Sequence, residues 1–197
     1  MGHGRMEEVM SGPLELARTI YELKVALRVI EPPIWRRVQV RSDIPLDDLH
    51  EHLQIAMGWT NSHLHCFKLG DARFGIPNPE FPELAFRDER RVRLPNLLEA
   101  PGDELVYEYD FGDSWAHDIV LERALEPEPD TEYPRIVAGA RACPPEDCGG
   151  VGGYEEFLCV IADPSHPEHG EMLAWAGGAF DPEAFDIEER NRLLRTP

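Results

Sequence analysis

Tyr21, Leu23, Val25, Leu27 and Val29 alternate with Glu22, Lys24, Ala26 and Arg28, a period of two that belongs to a strand with one buried and one exposed face. Glu31-Pro32-Pro33 follows, and the fixed φ of two prolines turns the chain there. Ile34–Val40 supplies a second strand with Val38 and Val40 on one face. An antiparallel hairpin is therefore expected to open the fold. From Pro45 the apolar spacing becomes Leu46, Leu49, Leu53, Ala56 and Met57, a helical stripe with Pro45 near its first turn and Gly58 as its stop. His50 and His52 sit on different faces of that helix, and Leu64–Leu69 leads into another strand.

Residues 71–95 hold Pro77, Pro79, Pro82 and Pro95, with alternating charge over Arg87–Arg93, and read as a long irregular surface excursion. A single helical turn is expected at Pro95–Leu98. Gly102-Asp103 then opens a hairpin of Glu104–Phe111 and Trp115–Leu121, joined by the turn residues Gly112-Asp113-Ser114. Pro127, Pro129 and Pro134 form a second irregular link. Tyr154, Phe157, Leu158 and Ile161, and later Met172 and Trp175, return to helical spacing. Strands first and helices late, without βαβ alternation, predict an α+β fold: antiparallel β hairpins forming a sheet packed with one early helix and C-terminal helices. Trp115, Trp175 and Tyr154 are expected as core anchors.

Residues 1–18 include Glu7, Glu8 and Glu15 and no continuous apolar run, so they read as a flexible lead-in rather than a signal peptide. Residues 19–197 read as one domain, and a 42% apolar content is enough for a sizeable core. No apolar run approaches the ~20 residues that cross a bilayer. The expected setting is soluble and cytoplasmic, with Cys66, Cys143, Cys148 and Cys159 reduced. The formal charge is −19, from 38 acidic and 19 basic residues. That balance disfavours generic DNA binding, which neutralises phosphates with cations, and favours a protein partner with a basic surface. Ile20–Arg41 is locally basic, with Lys24, Arg28, Arg36, Arg37 and Arg41 against Glu22 and Glu31. It reads as the solvated face of a hairpin.

Three constellations carry candidate chemistry. Asp110, Asp113 and His117 flank one turn, and two carboxylates with an imidazole suit a divalent ion that activates water; the alternative is that the aspartates cap their own turn. His63 and His65, spaced i and i+2, project to one face if both are in a strand, where they would share an ion or serve as polar rim residues. Cys143-Pro144-Pro145-Glu146-Asp147-Cys148-Gly149-Gly150 offers a thiol pair at zinc-ligand spacing, to be completed by His117 or by His63 and His65. Its other reading is a rigid loop whose Glu146 and Asp147 cap a helix that begins near Gly153. The catalytic candidates are thus Asp110, Asp113, His117, Glu146 and Asp147. The metal candidates, for a divalent ion such as zinc, are His63, His65, His117, Cys143 and Cys148.

I-W-R-R-V-Q-V at 34–40, L-H-E-H-L-Q-I-A-M-G-W at 49–59, H-L-H-C-F at 63–67, Y-E-Y-D-F-G-D-S-W-A-H at 107–117, C-P-P-E-D-C-G-G-V-G-G-Y at 143–154 and F-D-P-E-A-F-D at 180–186 stand in that order. Together they resemble the plasmid pRiA4b ORF-3-like family, whose members are also labelled insertion-element passenger proteins of TnpR type. The likeness runs from about Ile20 to Asp186. It implies a protein associated with plasmid or mobile-element genes and without an established activity. It also implies that the loop can carry other residues at 143 and 148, which argues against an obligatory cysteine-held metal. Resolvase chemistry does not follow from the label. That reaction needs a nucleophilic serine among arginines, and none of Ser11, Ser42, Ser62, Ser114 and Ser165 lies in such a setting.

Two function classes follow: an accessory or interaction protein, or, as the alternative, a metal-dependent hydrolase with an Asp/His site acting on a small or phosphorylated substrate.

Overall fold

Strand β1 (Ile20–Leu27) pairs antiparallel with β2 (Trp35–Arg41) in the register Leu23 opposite Val38 and Ala26 opposite Trp35. The computed structural model describes residues 19–80 and 82–196, so the expected lead-in at 1–18 lies outside the described residues. Leu23, Val25, Val38 and Val40 are fully buried, as the two-residue period requires. The remaining strands are β3 (His65–Leu69), β4 (Ala72–Gly75), β5 (Arg87–Asp88), β6 (Glu104–Tyr109), β7 (Trp115–Leu125) and β8 (Arg135–Ala140). They form one eight-stranded sheet in the order β5-β4-β3-β6-β7-β1-β2-β8. Every neighbouring pair is antiparallel except β4 and β5.

Helix α1 (Leu46–Met57) lays Leu46, Leu49, Leu53, Ala56 and Met57 into the core, each large side chain contributing about 1.5–3 kcal/mol by leaving water. Gly58 ends it at φ 105°, donating its N–H to Gln54 O. Later come α2 (Gly150–Ala162), α3 (His169–Trp175) and α4 (Ile187–Leu194). The architecture is α+β, with a mostly antiparallel sheet and four helices among the described residues. None of these helices is long and apolar enough to cross a membrane.

Three parts depart from the expectation. Residues 71–95 are not wholly irregular: they hold β4, β5 and short 3-10 turns at Pro82–Leu84 and Glu89–Arg91, while the helical turn expected at Pro95–Leu98 lies at Leu94–Asn96. Strands of four and two residues are too short to leave a period. β8 follows the proline-rich link, and Gly139 belongs in it because a Cβ there would lie 2.4 Å from the Phe185 ring. Trp115 and Tyr154 are core residues, but Trp175 is 47% exposed.

The basic opening is largely neutralised by pairing, Arg28 with Asp118, Arg37 with Glu122 and Arg41 with Asp43. Arg36 differs. It is 1% exposed, donates from Nε to Ala56 O and from Nη1 to Trp35 O and Ala140 O, all at 2.8 Å, and stacks on Phe185 at 3.8 Å. Burial lowers its pKa to about 10, which leaves it charged at neutral pH. One guanidinium therefore ties β2, the end of α1 and β8. Arg36→Lys cannot span the three carbonyls as a fork and is expected to cost about 2–3 kcal/mol, read as a lower urea midpoint, because buried acceptors lose their donors; an unchanged midpoint would contradict this role.

Candidate functional site

At the end of β6 the chain takes a left-handed conformation at Asp110 (φ 55°) and again at Ser114 (φ 57°). Asp110 Oδ1 accepts from the backbone N–H of Gly112 (2.9 Å) and Asp113 (3.3 Å), the side-chain turn that aspartate makes readily. Its second oxygen is not used by the turn. Oδ2 faces His63 Nε2 at 3.7 Å. Turn chemistry and ligand chemistry thus fall on different atoms of one carboxylate.

The 143–150 loop arrives from the opposite side. Glu146 Oε1 accepts from Thr60 N (2.8 Å), Thr60 Oγ1 (3.2 Å) and the Tyr109 hydroxyl (3.1 Å). Trp59 Nε1 donates to Pro144 O at 3.1 Å. Burial, with Glu146 nearby, pushes the Tyr109 phenol up to about 12, so it stays a donor. Helix α2 begins at Gly150, with Gly149 as its N-cap and no side-chain cap from its own loop. Glu146 and Asp147 therefore do not cap it. Asp113 supplies that end: its Oδ2 accepts the Gly149 N–H at 3.1 Å. Gly150 has φ 70°, and a Cβ there would lie 2.7 Å from Asp113 O, so both its conformation and its space exclude a side chain.

These ties converge on His63. Its Nε2 lies 3.1 Å from Asp147 Oδ1, 3.7 Å from Asp110 Oδ2 and 3.8 Å from Glu146 Oε2. The atom is buried, yet none of the three contacts has hydrogen-bond geometry. His63, Asp110 and Asp147 place one ligand atom each within 4.8 Å of one another. Metal–ligand bonds of about 2.0–2.2 Å put neighbouring ligands about 3.0–3.5 Å apart; the 3.1 Å contact to Asp147 falls in that range, and those at 3.7 and 3.8 Å lie a few tenths of an ångström beyond it. Asp147 is held at φ 58° with its side chain 71% exposed, so it closes the cluster on the solvent side.

Of the candidates named from sequence, Asp110, Glu146, Asp147 and His63 meet here. The others lie elsewhere. Asp113 serves the start of α2. His117 lies opposite Tyr107 in the sheet and is fully buried, with Nδ1 donating to Tyr107 O at 3.2 Å and Nε2 unbonded. Burial lowers its pKa to about 4. His65 bonds Glu89 through Nε2 at 3.0 Å and stacks on His50 with ring centroids 3.4 Å apart. Cys143 and Cys148 are partly buried and join no metal-competent group among the described residues. Burial raises both thiols, Cys148 to about 12, which keeps them from acting as thiolates.

His50 and Glu89 were not singled out by sequence. Gln54 Nε2 donates to the Tyr107 hydroxyl (2.8 Å), which leaves the hydroxyl proton for His50 Nδ1 (2.8 Å), and His50 Nε2 donates to Asn61 Oδ1 (2.9 Å). Burial lowers the His50 pKa to about 4. With Glu89 and His65 it lines a cleft of about 230 Å³ that also includes His63. The only sequence signal for this network was polar residues placed among the apolar stripe of α1.

A family model described as plasmid pRiA4b ORF-3-like protein matches residues 19–189. A protein of Sinorhizobium fredii (strain NBRC 101917 / NGR234) described as uncharacterized protein y4hQ is 42% identical over 181 residues, covering 91% of this chain and 92% of that protein. The crystal structure of MM3350, a protein of unknown function from Methanosarcina mazei Go1, has a TM-score of 0.79 and 37% identity, covering 87% of this chain and 97% of that one.

His50 and His117 have folded pKa values of about 4 against an ordinary 6.5. Between those values the unfolded chain binds protons that the folded chain does not. Their stabilising contribution is therefore complete above pH 6.5 and is lost as pH falls towards 4, by roughly 2–3 kcal/mol for each histidine. Urea titrations across this window are expected to show that loss, and His117→Phe to reduce it; an equal loss in the variant would contradict the assignment.

Proposed function

The chain belongs to the plasmid pRiA4b ORF-3-like family, and we propose that it is an accessory protein that binds a divalent cation between His63, Asp110, Glu146 and Asp147. One observation carries the reading: a buried imidazole nitrogen without a hydrogen bond stands within 3.8 Å of three carboxylate groups. An unpaired buried donor among acidic groups is costly, and a cation replaces that cost with coordination. One imidazole with carboxylate oxygens suits zinc or manganese. The ion would join the β6–β7 turn, the segment before β3 and the 143–150 loop, which are already linked by Glu146.

In this reading the protein works in the cytoplasm, encoded among plasmid or mobile-element genes, and meets a partner with a basic surface. The TnpR-type passenger label describes where the gene travels. A second reading, hydrolysis of a small or phosphorylated substrate, draws on the 71% exposure of Asp147, which would leave the ion open to water on one side. Three of the residues the sequence offers as its base are already engaged. Glu146 has both oxygens within bonding distance of Tyr109, while Asp113 and His117 are engaged away from the cluster.

Calorimetric titration of chelator-treated protein with zinc or manganese, paired with elemental analysis, tests the site. A single ion per chain is expected, with His63→Ala and Asp110→Asn weakening it by at least about tenfold, the loss already found for groups that only support ligands. Asp113→Asn should leave affinity unchanged. Absence of binding, or equal binding by His63→Ala, would reject the site.

A further inference from the structure

Between α2 and α3 lies a groove of about 300 Å³ lined by Phe157, Met172 and Trp175 on its apolar side and by Asp147, Glu156 and Glu171 on its polar side. Phe157 forms a buried base, and Trp175 stands edge-on to it with ring centroids 5.8 Å apart. α3 has no fully buried residue, so it leaves apolar surface uncovered while resting on α2. The lining has three carboxylates and no cationic side chain. Among the described residues, Glu156 and Glu171 have neither an ion pair nor a hydrogen-bonded partner for their carboxylates.

An exposed tryptophan beside unpaired carboxylates fits one ligand chemistry. A guanidinium stacks on the indole face, where the ring quadrupole attracts a cation, and its fork of donors meets carboxylates. Its alkyl stem covers methionine and phenylalanine. We propose that this groove seats an arginine side chain presented by a partner protein. The chain's net charge of −19 adds long-range attraction for a basic segment, and the groove gives that attraction a place to dock. Glu156 and Glu171, the carboxylates that carry this site, do not face His63; Asp147 is shared with the cation site proposed above.

Fluorescence anisotropy with a labelled peptide of alternating arginine and glycine tests the proposal on the full chain. Trp175→Ala and the pair Glu156→Gln/Glu171→Gln are each expected to weaken binding by about tenfold or more, equivalent to ~1.4 kcal/mol. Glu99→Gln/Glu126→Gln makes the same charge change at exposed positions outside the groove and is expected to have less than about a twofold effect. The proposal fails if no peptide binds, if the remote pair weakens binding as much, or if Trp175→Ala has no effect. It also fails if the protein is a dimer that Trp175→Ala dissociates, since a second copy would then occupy the groove.

Discussion

Glu146 joins segments that the sequence keeps far apart. Its carboxylate accepts from Thr60, 86 residues earlier, and from Tyr109, 37 residues earlier. Through those bonds a loop with two prolines and two glycines is fixed against the end of β6 and the link that leads into β3. Asp147 follows Glu146 directly, so its place beside His63 depends on this clamp together with the buried bond from Trp59 to Pro144 O in the same loop. Charge-assisted hydrogen bonds are stronger than neutral ones, which suits a carboxylate to this task. The Gly149-Gly150 end of the loop adds a second restraint, since it fits against the Asp113 backbone with no room for a Cβ.

The opening hairpin, α1, the β6–β7 hairpin and the helical spacing of Tyr154, Phe157 and Ile161 were legible because each repeats a period over six or more residues. β4 and β5 were not, since a pair of residues such as Arg87-Asp88 has no period to detect. The site was legible in its parts but not in its assembly. His63, Asp110 and the Glu146-Asp147 pair each stood out locally, in three separate motifs. What joins them is the path of one loop across the sheet, and no local pattern encodes that path. Conversely, Asp113 and His117 are neighbours of Asp110 in sequence but face different surroundings, one at a helix start and the other in the core.

The same contrast explains two kinds of histidine. His117 and His50 sit where burial keeps the imidazole neutral, and their hydrogen bonds assign which nitrogen holds the proton. His63 sits at the boundary between core and solvent, against Tyr109 on one side and carboxylates on the other. A residue in that position is packed well enough to be oriented and open enough to be reached by an ion.

Asn191 of α4 donates to Ile136 O at 2.9 Å and accepts from Ile136 N at 2.7 Å, so one amide imitates a neighbouring strand along the outer side of β8. That pairing partner lies 55 residues downstream of Ile136. During synthesis β8 can join the sheet well before α4 leaves the ribosome, and over that interval its outer row of backbone groups is open to any other nascent strand. That single asparagine thus acts as a cover on an edge strand, occupying backbone groups otherwise open to pairing with another chain.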